Sequence, residues 1–173
     1  TISSFEESLQ RLQTDYLDAF LVHWPGQDKE RMLDTWKAME HLYKEGKVKS
    51  IGVCNFEISQ LTYLLEHCEI KPMIDQVEHT PLMHDEKLIS FCKENDIQIM
   101  AWGPLLRGNL ENKKIEEIAE KYKKTTAQLL LRWNIEQEII PIPKSKNKQR
   151  LQQNMDVFDF EIMKEDMEEL NRM

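Results

Sequence analysis

The feature that most constrains this chain is a recurrence. A short apolar run is followed by a longer amphipathic run five times over, roughly every 25–40 residues. The short runs are 18–22, 51–53, 73–77, 97–101 and 139–142, apolar on both faces and rich in β-branched side chains. The longer runs predict helices over 29–45, 58–67, 85–94, 114–122, 127–135 and 148–155, with others over 3–13 and 165–172. In 29–45, Met32, Trp36 and Met39 share one face and Gly46 ends the run. Strands apolar on both faces and joined by helices belong to a parallel sheet covered by helices, with right-handed crossovers. The fold class is therefore α/β.

Two parallel architectures compete. An open doubly wound sheet calls for a glycine-rich first turn, and this chain has only five glycines and no G-x-G-x-x-G. A TIM-type (β/α)8 barrel needs eight strand–helix units in about 250 residues. Five units in 173 residues match the density of such a barrel with about five of its eight units in this chain. The expected organisation is one domain over 1–173, an incomplete barrel.

The net charge of −8 argues against nucleic-acid or membrane-surface partners, which require a basic face. No apolar run is long enough to span a bilayer, and 1–13 lacks a signal-peptide pattern. Cys54, Cys68 and Cys92 form no C-x-x-C pair; reduced thiols and a cytoplasmic setting are expected. The first residue is Thr, in what reads as mid-helix, so upstream sequence is expected.

In a parallel barrel the chemistry gathers where the strands end. The residues there are His23, Asn55, Gln76, Trp102 and Lys144-Ser145. Taken singly, His23 also suits a capped core histidine and Asn55 an ordinary turn. Gln76 is more informative, because an amide in an apolar strand is costly unless paired. Lys144, Ser145 and Arg150 converge on a predicted helix start, where free N–H groups favour an anion. Lys146 and Lys148 lie beside them in an otherwise acidic chain. A phosphate site and a solvated basic loop both fit that run.

Five motifs then appear in order: D-Y-L-D-A-F-L-V-H-W-P (15–25), G-K-V-K-S-I-G-V-C-N-F (46–56), D-Q-V-E-H-T-P (75–81), A-W-G-P-L (101–105) and I-P-K-S-x4-R-x3-N (142–154). Together they resemble the aldo-keto reductases, from the third barrel helix to the C-terminus. The resemblance implies an NADP(H)-dependent enzyme that reduces aldehydes and ketones. His23 would be the catalytic histidine, donating a hydrogen bond to the substrate carbonyl, and Trp24 would line the substrate pocket. Asn55 and Gln76 would hold the nicotinamide carboxamide, and Trp102 would stack on its ring. Gly103 and Leu105 would follow the pyrophosphate. Lys144, Ser145 and Arg150 would take the 2′-phosphate, and Gln153 and Asn154 the adenine. No metal is implied.

The sequence departs from the family pattern at Cys54, Gly103 and Gln153, where Ser, Ser and Glu are usual. His79-Thr80 replaces an aromatic-His pair. The general-acid tyrosine and its lysine and aspartate would lie upstream; Tyr16, Tyr43, Tyr63 and Tyr122 do not match. Two alternatives follow from that reading. The chain is a non-catalytic NADP(H)-binding or regulatory barrel fragment, or it belongs to another phosphate-binding barrel. Alone it is expected to be inactive and poorly stable, with exposed strand edges open to self-association.

Overall fold

The computed structural model describes residues 1–173. The expected alternation is present: α1 (Ile2–Leu12), β1 (Phe20–Val22), α2 (Lys29–Lys44), β2 (Ile51–Cys54), α3 (Ile58–His67), β3 (Ile74–Glu78), α4 (Glu86–Glu94), β4 (Gln98–Trp102), α5 (Lys113–Lys121), α6 (Thr126–Glu136), β5 (Ile140–Pro141), α7 (Lys148–Met155) and α8 (Lys164–Asn171). A 3-10 turn at Leu106–Gly108 follows β4. The chain folds as two compact units, Thr1–Val77 with Lys87–Gln98, and Glu78–Glu86 with Ile99–Met173.

In the first unit β2 lies between β1 and β3, parallel to both. Leu21 is in register with Gly52, and Gly52 with Ile74. All four β2 residues are buried, as a strand covered on both faces requires. Only glycine fits at position 52: a Cβ there would stand 2.5 Å from the Ile74 carbonyl oxygen and 2.9 Å from the Ile74 Cβ. Helix α2 starts where Asp28 Oδ1 accepts from the Glu30 and Arg31 N–H groups, at 3.0 and 3.2 Å. It stops just before Gly46, which takes φ +70°. Its inner face buries Trp36, Met39 and Leu42, and each such side chain contributes about 1.5–3 kcal/mol. Trp36 Nε1 donates to the Ile70 carbonyl at 2.9 Å. The buried Glu40 carboxylate accepts from the Glu69 and Ile70 N–H groups, both at 2.8 Å, so α2 fixes the loop that leads into β3.

In the second unit β4 and β5 are parallel, with Ala101 in register with Pro141. Helices α5, α6 and α8 close a core of Ile115, Ile118, Leu129, Leu130, Trp133 and Leu170. Helix α6 begins with a capping box, in which Thr125 and Gln128 satisfy each other's backbone N–H groups. Asp166 of α8 is buried, accepting from Lys121 Nζ at 2.5 Å and the Tyr122 hydroxyl at 2.6 Å; this ties α8 to α5.

The elements match the expected ranges to within a residue or two, apart from the first and last strands. β1 begins at Phe20 rather than at 18, because the preceding segment makes only a single bridge, Leu17 to Val48. β5 holds two residues instead of four, because Pro141 and Pro143 have no N–H to give a ladder. No helix is long and apolar enough to cross a membrane.

Candidate active site

The first unit brings three of the strand-end residues together. His23 directly follows β1, Asn55 directly follows β2 and Gln76 lies within β3. The Asn55 N–H donates to the Gln76 carbonyl at 3.0 Å, and Asn55 Nδ2 donates to the His23 carbonyl at 3.4 Å. Asn55 takes φ +59°, a left-handed turn that asparagine tolerates; this turns its side chain back toward β1. His23 is exposed, so it is no core histidine. Its ring centroid lies 5.9 Å from that of Trp24, which is 61% exposed.

The second unit holds a cleft of about 710 Å³. Gly103, Leu105, Lys144, Ser145, Arg150, Gln153 and Asn154, seven residues expected along the cofactor, all line it. The local chain explains the convergence. Asn147 caps α7, its Oδ1 accepting from the Arg150 N–H at 3.1 Å, and the Asn147 N–H donates to Ser145 Oγ at 3.1 Å. Lys144 and Arg150 are exposed and sit beside free N–H groups at the start of α7, a favourable place for an anion. In the same cleft, Asn154 Nδ2 is buried with no hydrogen-bond partner, a donor awaiting an acceptor. Cations and an orphaned amide donor lining one cleft suit a phosphorylated nucleotide.

Trp102 ends β4. Arg107 packs on it, with Cζ 4.9 Å from the ring centroid. The same guanidinium donates to both Glu78 oxygens, Nε to Oε1 at 2.9 Å and Nη2 to Oε2 at 2.5 Å. Leu106 and Arg107 both take positive φ, 52° and 54°, a conformation costing on the order of 1 kcal/mol for each non-glycine residue. Neither Glu78 nor Arg107 was singled out in the sequence, because the pair forms only in space.

Two buried titratable groups were also missed. Asp75 in β3 is wholly buried, with neither oxygen in a normal hydrogen bond. Burial pushes its carboxyl up to about 7, partly offset by the nearby Phe56 N–H. Beside it, burial raises the Cys54 thiol to about 11 and the Cys92 thiol to about 12, with the Asp75 charge adding to both. A carboxylate inside the apolar run I-D-Q-V was the signal. His79, one of the departures from the family pattern, is 1% exposed. Its Nδ1 meets Asn134 Oδ1 at 2.9 Å, while Asn134 Nδ2 donates to the Leu130 carbonyl; His79 Nδ1 therefore carries the proton. The ring stacks on Trp133 at 4.6 Å and 14°. Burial lowers His79 to about 4, the Asn134 bond opposes the shift and nearby His84 adds to it.

None of the four tyrosines directly follows a strand as His23 does. Tyr122 donates to Asp166 and is pushed up to about 12, chiefly by burial. Tyr43 and Tyr63 lie in α2 and α3. Tyr16 has Lys49 Nζ 4.1 Å from its ring, and Lys49 pairs with Asp18 at 2.9 Å. This is a Tyr–Lys–Asp group, but it precedes β1 while His23 follows it, at the opposite end of that strand.

Parallel strands alternating with helices, with polar residues at the strand ends, define a TIM-barrel-class chain. The profile described as "Aldo/keto reductase family" matches residues 1–173. Glyoxal reductase of Bacillus subtilis (strain 168) is 47% identical over 174 residues, covering 100% of this chain and 62% of that protein. Methylglyoxal reductase DkgA of Escherichia coli (strain K12) is 39% identical over 170 residues, covering 96% and 62%. Among solved structures, MGS-M4, an aldo-keto reductase from a Medee basin deep-sea metagenome library, matches with a TM-score of 0.93 at 43% identity, covering 98% of this chain and 64% of that one. The Bombyx mori aldo-keto reductase in complex with NADP gives 0.90 at 35%, covering 98% and 61%. The chain belongs to the aldo/keto reductase family, and it carries five strand–helix units of that family's (β/α)8 barrel. It spans about 62% of the length of the curated relatives it matches.

Proposed function

We propose that this chain is the cofactor-binding and carbonyl-orienting part of an NADPH-dependent reductase of small aldehydes and ketones. The observation that carries the reading is the second unit's cleft, which Lys144, Ser145, Arg150, Gln153 and the unpartnered Asn154 amide line together. The similarity to proteins named glyoxal and methylglyoxal reductase supports small dicarbonyls as substrates. Similarity to a protein crystallised with NADP supports the cofactor.

NADPH, when bound, supplies the hydride. Lys144, Ser145 and Arg150 hold its 2′-phosphate through charge-assisted hydrogen bonds, which favours NADPH over NADH. Asn154 and Gln153 meet the adenine edge. Asn55 and Gln76 hold the carboxamide and so select the ring face that is presented. His23 donates a hydrogen bond to the substrate carbonyl oxygen, polarising it as negative charge develops there. The alcohol proton needs a separate acid, and the tyrosines of this chain are engaged or placed elsewhere. On this reading the 173-residue chain alone binds cofactor without turnover, in a cytoplasmic setting.

The full-length protein that carries this chain should oxidise NADPH with glyoxal, methylglyoxal and larger aldehydes. His23→Ala should collapse kcat. Arg150→Ala should raise the KM for NADPH and leave that for NADH unchanged. Absence of NADPH oxidation with every carbonyl in the panel rejects the enzyme reading. A second reading, a binding module without catalysis, rests on the placement of the four tyrosines. It is favoured if calorimetry finds NADPH binding by a full-length protein that turns nothing over.

A further inference from the structure

Glu78, at the end of β3, and Arg107, in the turn after β4, hold each other through two parallel hydrogen bonds. The Glu78 side chain is 20% exposed and that of Arg107 64%, so the carboxylate is the fixed partner and the arginine the reaching one. Arg107 packs on the Trp102 ring and also lines the cleft with Gly103, Leu105 and Lys144. Its backbone, with those of Leu106 and Gly108, is left-handed, so this turn is held by its contacts rather than by local preference. Gly103 has φ +61°, and a Cβ there would touch Glu78 Oε1 at 3.7 Å and Arg107 Cγ at 3.8 Å; the pair closes directly over that glycine. A guanidinium already neutralised by a carboxylate is a poor phosphate ligand. Lys144 and Arg150 have no such partner.

We infer that the Glu78–Arg107 pair is a brace that fixes the plane of Trp102 for stacking with the nicotinamide ring, making both residues positioning residues for the cofactor. The inference rests on the proposed reading of Trp102 as the stacking ring. The brace acts on the end of the cofactor that NADPH and NADH share, whereas Arg150 acts on the end where they differ. That difference separates a brace from a phosphate ligand and from a merely structural pair.

The test is calorimetric titration of the full-length protein with NADPH and with NADH. Glu78→Gln and Arg107→Met should each weaken both cofactors by the same factor, about tenfold, as expected for losing a charge-assisted contact beside a stacked ring. Arg107→Lys should fall between, because lysine keeps the charge but not the fork. The double variant should be no worse than the weaker single, since one device is lost once, and thermal unfolding should be unchanged. An effect on NADPH alone makes Arg107 a 2′-phosphate ligand and overturns the brace. So does weakening in Arg107→Met with Glu78→Gln unaffected, or equal weakening that tracks a fall in thermal stability. A wild-type protein that binds neither cofactor overturns the proposed function itself and the brace with it.

Discussion

The two units present their site residues in opposite ways. In the first, Asn55 and Gln76 are joined through their own backbones, on strands so closely packed that Gly52 admits no Cβ. In the second, Lys144 and Arg150 stand exposed around an open cleft and hold nothing up. The contrast teaches that a residue's position in the site and its share in the fold are separable in the second unit and not in the first. The buried titratable groups differ in the same sense. Asp75 in the first unit is buried without a partner, whereas His79 in the second is buried neutral with one.

The sharpest way to break the contrast is Gly52→Ala. Its Cβ would meet the Ile74 backbone, and such overpacking should cost about 3 kcal/mol or more. The expected outcome is a large fall in thermal midpoint, with the geometry of Asn55 and Gln76 lost as well. A near-normal midpoint would show β2 and β3 to be less tightly coupled than their register implies.

Next come the titrations, which should have opposite signs. The Asp75 carboxyl is raised from 3.8 to about 7, so in this range the folded state binds the proton more tightly than the unfolded chain. Its contribution to stability therefore falls as pH rises from about 4 to about 7, and is flat above. Asp75→Asn should stabilise the protein at pH 8 by on the order of 2–4 kcal/mol and much less at pH 4, read from denaturant unfolding at the two values. His79 is lowered from 6.5 to about 4, so its contribution is complete above about 6.5 and is lost as pH falls toward 4. His79→Phe keeps a ring against Trp133 and should remove that acid loss, at a cost of about 1 kcal/mol for the Asn134 bond. Parallel pH curves for wild type and both variants would mean that neither group titrates with the fold.

The smallest effect on stability is expected from Arg150→Ala, within about 0.5 kcal/mol, alongside a large loss of NADPH affinity. A destabilised Arg150→Ala protein would place that arginine in the fold and blur the contrast.

What was legible in the sequence follows the same division. Gly46 marked the end of α2 because its capping chemistry is local. The run I-P-K-S-x4-R-x3-N marks the cleft because strand end and helix start lie within a few residues of each other. Strand ends predicted the positions of His23, Asn55 and Gln76, since parallel topology places them. The Glu78–Arg107 pair was not legible, because its partners are 29 residues apart and nothing local ties them. Asp75 and His79 also escaped. Burial depends on which helices cover a strand, and the sequence pattern does not show whether a neighbour will supply a partner. The shortness of β5 has a local cause in Pro141 and Pro143, within a four-residue apolar run whose pattern alone predicts a longer strand.

Trp36 in the first core and Trp133 in the second are each sealed from water, at 1% and 0% exposure, while Trp24 stands 61% open. Each unit thus carries one dry indole, whose emission shifts to longer wavelength when its core admits solvent. Trp133 also has an imidazole stacked on its face, so acid opening of the second unit would show in the colour of its own fluorescence.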